Sequence, residues 1–393
     1  MKFITKFTFF LLFVSLAFGS FNPFDLRGSI SIDEYVSEQR GFTPILFCFC
    51  MLFSVCDAQV RIHLKQFRKY FIPLLFLLLF YVMSSLIYDV STFGDHFSTY
   101  VKLLVAFTGF FVFCSYFYTY PQICQYVCTT FAITCMVICI MFFAGMLDGL
   151  YFFSNGRLWM FGENPNTYSF VMGVGALVMS NELKEKRHFI IKLLCMCSIL
   201  IFIMYIFLSG SRGTIVFLGL ALIINSWSYL KTHLGISSFC VALGVVAIFA
   251  FLSKNADELV IFDRFHDLEK GDSREGLIKN ALSLFYDSPL YGYGVNGYEY
   301  MKLRVFNDLR DSHNMIVSIM AVSGLLGLIS ILTFYFQIIK LLKSTPQAVY
   351  SIALFVYVFC ISMKTGGIIT YSLMWITYAT VLAQTYTIKN KTV

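Results

Sequence analysis

The chain has 393 residues, of which 58% are hydrophobic and 13% charged, and its mean hydropathy is +0.75. A water-facing globular surface draws on roughly 25% charged residues, so this composition excludes a soluble globular protein and makes lipid the main solvent. The formal net charge of +7 does not point to nucleic acid, because the Lys and Arg residues sit mostly in short stretches between apolar runs.

A membrane span needs roughly 20 mostly apolar residues. With that ruler the chain yields about twelve stretches, at 4–20, 42–57, 71–88, 99–117, 124–147, 168–180, 189–208, 213–228, 235–253, 313–339, 348–363 and 367–386. The expected fold class is an all-α polytopic membrane protein, a single integral membrane domain over residues 1–393. Lys2 and Lys6 ahead of an apolar run ending in AFGS have the shape of a signal peptide, and an uncleaved first span fits equally well.

Alternation from a cytoplasmic N-terminus provides a test of these spans. It puts Arg61, Lys65, Arg68 and Lys69 on the cytoplasmic side, then Lys184, Lys186 and Arg187, then Lys231, then Lys340 and Lys343. Lys2, Lys6, Lys389 and Lys391 at the ends of the chain fall on the same side. Short connectors on the opposite side hold Arg27, Arg40, Arg157, Arg212 and Lys364. This is the positive-inside asymmetry of a multi-pass inner (cytoplasmic) membrane protein, with 58–70 as a charged cytoplasmic connector and Tyr120–Gln122 as an uncharged one. Residues 254–312 form a long charged segment on the outer face, and loops of that length are usually functional. The two halves show no internal duplication, which removes the inverted-repeat logic of transporters. The 12 cysteines fall almost entirely in apolar runs, and Cys124, Cys128, Cys135 and Cys139 recur at helical spacing, as packing residues do.

Four polar clusters share the outer side: GRLWMFGENPN (156–166), LSGSRG (208–213), the stretch from Arg274 to Tyr300, and DSHN (311–314). Each has a purely structural reading. ENPN suits a turn and helix start, LSGSRG a tight hairpin between helices, and YGYGVNG a flexible interfacial loop. DSHN suits an N-cap with Asp311 or Ser312 accepting backbone N–H bonds. Their concentration on one face favours a shared site. Arg157, Arg212, Arg264 and Arg274 are the side chains for a cationic outer-leaflet site, since guanidinium binds phosphate bidentately and keeps its charge. His313 beside Asn314 adds one group that titrates near neutrality, suited to general-base work.

The order NPN, then SRG after a span, then an arginine ahead of G-x-G, then SHNMIVSIMAVSGLLGLI from Ser312 to Ile329 resembles the bacterial O-antigen ligase and polymerase superfamily over residues 155–340. The resemblance implies a GT-C-like integral membrane glycosyltransferase with no cofactor and no metal. Such an enzyme moves a glycan from undecaprenyl diphosphate to a sugar hydroxyl on an acceptor glycolipid, at the periplasmic face, with membrane lipid around it and a chain-length regulator as a candidate partner. It further implies that Arg212 and Arg274 hold the donor diphosphate and that His313 activates the acceptor hydroxyl. Arg157, Asn166, Arg264 and Asn314 are secondary substrate-binding candidates. Asp311 stands where many ligases of this superfamily have a second histidine, which favours a polymerase over a ligase. From other classes, a lipid-linked oligosaccharide flippase fits the number of spans, and so does a structural scaffold. Ion-coupled transport usually places charge at mid-membrane, whereas Asp89, Asp95, Asp148 and Glu163 lie at span ends or in loops.

Overall fold

Apolar runs in lipid leave the backbone no water to bond, so each segment must satisfy its own N–H and C=O groups, and the chain does so as helix. The computed structural model describes residues 2–18, 43–88, 97–154, 156–161, 163–185, 188–232, 273–365 and 368–392. Among them are α1 (Lys2–Ala17), α2 (Thr43–Cys56), α3 (Ala58–Ile87), α4 (Phe97–Thr119), α5 (Pro121–Phe143), α6 (Pro165–Glu182), α7 (Phe189–Leu208) and α8 (Arg212–Thr232). They are followed by α9 (Ser273–Asp287), α10 (Gly294–Phe306), α11 (Met315–Lys343), α12 (Val349–Ser362) and α13 (Ser372–Thr392). Eleven of the twelve predicted spans fall on these helices, and the remaining one, 235–253, lies outside the described residues. Among the described residues, α3, α4, α5, α7 and α11 are long and apolar enough to cross a membrane.

Three sequence expectations need correction. The charged stretch 58–70 is not a connector but the first half of the 30-residue α3, separated from α2 by Asp57 alone. Nothing between Ala58 and Ile72 breaks a helix, and the Asp57 carboxylate caps it by accepting from Gln59 N–H (2.9 Å). The uncharged connector at Tyr120 is likewise a one-residue break between α4 and α5, and Tyr120 Oη donates to Asp57 (2.7 Å). That bond, with burial, pushes the Tyr120 phenol up to about 12. Finally, the first polar cluster contains an antiparallel hairpin, β1 (Tyr151–Ser154) with β2 (Arg157–Met160), in register Ser154↔Arg157. The Asn155-Gly156 dipeptide is the standard two-residue turn signal for such a hairpin, and Gly156 has φ +65°.

The chain forms two compact units: Met1–Cys50, Gln122–Glu269 and Ile352–Tyr357, then Met51–Pro121, Lys270–Ser351 and Val358–Val393. In the first, α6 is buried along its whole length except at Thr167 and Asn181, so it is a core helix wrapped by α7, α8 and β2. Cys124, Cys135 and Cys139 of α5 are buried as expected of packing residues. In the second, Trp375 of α13 is fully buried, with ring centroids of Phe107, Phe110 and Phe334 at 4.7, 5.9 and 5.7 Å.

The second unit also contains a deliberate break. In a continuous α11 the Leu325 N–H would donate to the Ala321 carbonyl. Instead Leu325 N–H donates to Pro289 O (2.8 Å), and Ala321 O accepts from Tyr293 N–H (3.0 Å). Gly324 makes the break with φ +61°. The loop that fills it is Pro289–Tyr293, which includes the start of YGYGVNG, and the rest of that segment opens α10, so it is clamped rather than free. Ser84 of α3 donates to Tyr291 O, and Tyr88 Oη bonds Ser288 Oγ (3.0 Å). A Cβ on Gly324 would lie 2.6 Å from Tyr291 N, whereas one on Gly276 would meet open space. Gly324→Ala should therefore lower stability by about 1–3 kcal/mol, and Gly276→Ala should not, as read by thermal unfolding of the purified protein in detergent.

Candidate functional site

The first unit gathers three of the predicted residues around the α7–α8 turn. Asn164 caps α6, accepting from Asn166 N–H (2.9 Å), with Pro165 at the first helical position, so the structural reading of ENPN holds. Asn166 then points inward, and its Oδ1 accepts from Arg157 Nη2 (2.9 Å) and Ser211 Oγ (3.0 Å). Arg157 Nε donates to Ser209 O (3.0 Å). The Arg157 side chain crosses Gly210, whose φ is +63° and whose Cβ, if present, would lie 3.3 Å from Arg157 Cγ. One guanidinium thus ties the hairpin, the start of α6 and the SGSRG turn together. Ser209 and Ser211 are fully buried, and Ser211 opens α8, its carbonyl accepting from Thr214 and Ile215 N–H.

Arg212 is the first residue of α8 and is half-buried. A cation there opposes the positive end of the helix dipole, but the same end favours an anion. Arg274 repeats the placement as the second residue of α9 in the other unit, again half-buried. Both arginines assigned to the diphosphate therefore combine a guanidinium with a helix N-terminus. Arg264 lies outside the described residues.

The DSHN segment belongs to the second unit and is heavily braced. The cap of α11 is Asn314, whose Oδ1 accepts from Val317 N–H (3.2 Å), and not Asp311 or Ser312. Asp311 instead accepts from Ser312 N–H (2.7 Å) and Ser318 Oγ (3.0 Å), and Ser312 Oγ also bonds Ser318 Oγ (2.7 Å). Between these braces His313 adopts φ +53°, a left-handed conformation uncommon for a residue with a side chain. Non-glycine residues held there concentrate at functional sites.

Lys302 completes this segment, and sequence reasoning missed it. It is 7% exposed, its ammonium donates to Leu309 O (3.1 Å) and Arg310 O (3.4 Å), and it stands 4.6 Å from the centroid of the Tyr298 ring. Burial pushes its pKa below the usual lysine range, and Asp311, Glu299 and Asp308 oppose that shift. Next to it the half-buried Asp308 is held down at about 2 by hydrogen bonds from Arg310. The available signal was the Tyr298–Lys302 spacing, one turn apart on a short helix, but nothing in the sequence says which face is covered.

At the other end of α6 a second polar group is buried. Glu182 accepts from Gln125 Nε2 (3.2 Å) and Thr129 Oγ1 (3.1 Å), Asn225 Nδ2 donates to Ser180 Oγ (3.0 Å), and Lys184 donates to Asn225. Burial lowers Lys184 to about 8.

With this geometry in place, the decisive comparison is with a family model. Residues 197–332 match the family described as O-antigen ligase. The match bears out the resemblance to the O-antigen ligase and polymerase superfamily, and it contains Arg212, Arg264, Arg274, His313 and Asn314. It is narrower than the 155–340 over which the motifs were read, so Arg157 and Asn166 lie ahead of it. No curated protein matches the chain. The apolar helices and the O-antigen ligase match together indicate a membrane protein with a glycosyltransferase-like, O-antigen ligase/polymerase-type function.

Lys302→Met would leave the Leu309 and Arg310 carbonyls without their donor, at a cost of about 1–3 kcal/mol for buried groups. Amide hydrogen exchange across 309–313 should then speed up while the second half of α11 keeps its protection.

Proposed function

We propose that this protein is a surface-polysaccharide (O-antigen) polymerase, transferring a glycan from undecaprenyl diphosphate to a sugar hydroxyl of a second lipid-linked repeat unit at the periplasmic face of the inner membrane. The observation that carries the reading is the O-antigen ligase match, within which two half-buried arginines each begin a helix and a left-handed histidine precedes another. In this reading Arg212 and Arg274, with their helix N-termini, neutralise the charge that builds on the bridging oxygen as the anomeric C–O bond breaks. Fixed donors of that kind stabilise a leaving diphosphate without a metal. The acceptor oxygen forms the new bond to the anomeric carbon, its proton passes to His313, and the diphosphate lipid leaves with the electron pair. Direct displacement inverts the anomeric centre. Arg157 and Asn166 keep the turn before Arg212 in shape, and Asn314 fixes the start of α11.

A second reading is favoured by the family's own description: a ligase that moves the finished glycan onto the lipid A core. Asp311 favours the polymerase, because it stands where the resemblance puts a second histidine and its carboxylate is engaged by Ser312 and Ser318.

Two experiments test these proposals. In cells, His313→Ala should leave membrane-inserted protein that binds donor but transfers about 10²–10⁴-fold more slowly. A disabled polymerase gives lipopolysaccharide capped with one repeat, whereas a disabled ligase gives none and accumulates lipid-linked polymer. Arg212→Lys should be nearly as damaging, since it keeps charge but loses the planar fork, while Arg304→Ala should be silent. With purified enzyme these ratios should hold in EDTA. Normal ladders from either His313→Ala or Arg212→Lys would remove the residue from the mechanism. Sidedness is tested separately: alkaline phosphatase fused after Lys279 should be active, and fused after Lys65 or Lys184 inactive. The reverse pattern would put the site in the wrong compartment.

A further inference from the structure

A groove of about 440 Å³ runs between α3 and α11, outside the residues assigned to transfer. Its walls include Ile72, Phe76 and Phe80 from α3 and Leu326, Ile329 and Ser330 from α11. At one end stand Lys69 and Gln337. The two helices run antiparallel here. Ser84 meets the loop that fills the break at Gly324, and Leu77 lies 3.3 Å from where a Gly327 Cβ would be, so α3 counts down as α11 counts up. From Phe80 to Lys69, and from Leu326 to Gln337, the groove extends over eleven residue steps on each helix, about 16 Å at 1.5 Å per residue. That is half of the ~30 Å hydrocarbon thickness, the depth of a single leaflet.

The polar end has its own chemistry. Lys69 is exposed, with its ammonium 5.0 Å from the Tyr70 ring centroid and 5.8 Å from that of Tyr386. Gln337 Oε1 is buried and accepts no hydrogen bond among the described residues. Pro73, in the groove wall, has no N–H to give the Lys69 carbonyl, which loosens the helix at this point. Neither helix supplies a carboxylate counter-ion: the sequence has no Asp or Glu from Ala58 to Tyr88 or from Ser312 to Val393. The same stretches carry Arg61, Lys65, Arg68, Lys69, Lys340 and Lys343.

We propose that this groove is a binding site for an anionic glycerophospholipid of the phosphatidylglycerol type. One acyl chain lies along Phe76, Phe80 and Ile329, the phosphate sits at Lys69, and a headgroup hydroxyl donates to Gln337 Oε1. The occupant is a lipid because the groove is one leaflet long and its wall is apolar. It is anionic because, among the described residues, the one charged residue of the groove is Lys69, and neither helix carries a carboxylate. The site is independent of the transfer chemistry proposed above.

The test uses the full-length purified protein, titrated with phosphatidylglycerol or with phosphatidylethanolamine of identical chains, and counts bound lipid by native mass spectrometry. Wild-type protein should prefer phosphatidylglycerol about fivefold, the size expected of one basic side chain near a lipid surface. Lys69→Gln should abolish the preference, Lys343→Gln, outside the groove, should keep it, and Ile329→Trp should weaken both lipids by filling the wall. Equal binding of the two lipids by wild type would overturn the proposal, as would an equal loss in Lys343→Gln or unchanged binding by Ile329→Trp. Disulfide-linked dimers of Ile329→Cys in native membranes would assign the groove to a second copy of the chain and overturn it too.

Discussion

Every interruption of a helix in an apolar solvent exposes an N–H and a C=O that lipid cannot satisfy, and this constraint organises the molecule. The break in α11 shows the solution most directly. The lost Leu325–Ala321 bond is replaced by two bonds to the Pro289–Tyr293 backbone, so the break and the Gly-rich loop form one construction. The glycines at 292 and 324 follow from that: a Cβ on Gly292 would lie 2.5 Å from Val322 C, and one on Gly324 2.6 Å from Tyr291 N. A loop with the composition of a flexible linker is fixed because another helix needs its hydrogen bonds.

The same requirement governs the polar clusters. Ser209 and Ser211 are fully buried in a turn between apolar helices and would be costly without partners. Arg157 and Asn166 supply them, and in doing so connect the GRLWMFGENPN and LSGSRG clusters. Arg157 is thus a frame for the turn that ends in Arg212. In the second unit Lys302 plays a comparable part, drawing the carbonyls of Leu309 and Arg310 to a buried ammonium just ahead of the strained His313. Both frames use a cation, half-buried in Arg157 and buried in Lys302, to shape backbone beside a residue proposed to meet substrate.

Composition, period and charge spacing carried the apolar helices, because burial in lipid leaves a 20-residue signature that needs no tertiary information. They also carried the order of the motifs, the last three of which lie inside the O-antigen ligase match over 197–332. They misjudged 58–70, since a run of charge looks like a connector whether or not it is helical, and they did not show the hairpin that pairs Ser154 with Arg157, because strands of four residues leave too short a pattern among apolar runs.

By itself, then, the sequence determined that this chain folds in lipid and which arginines and histidine are candidates for chemistry. Those properties follow from side-chain type and spacing along one segment. Only the tertiary structure decided that Arg157 and Asn166 face each other and that Asn314 rather than Asp311 caps α11. It alone revealed Lys302 beneath the histidine segment and the single-leaflet groove at Lys69. Each of these depends on which faces meet across distant parts of the chain, and hydropathy averages that information away.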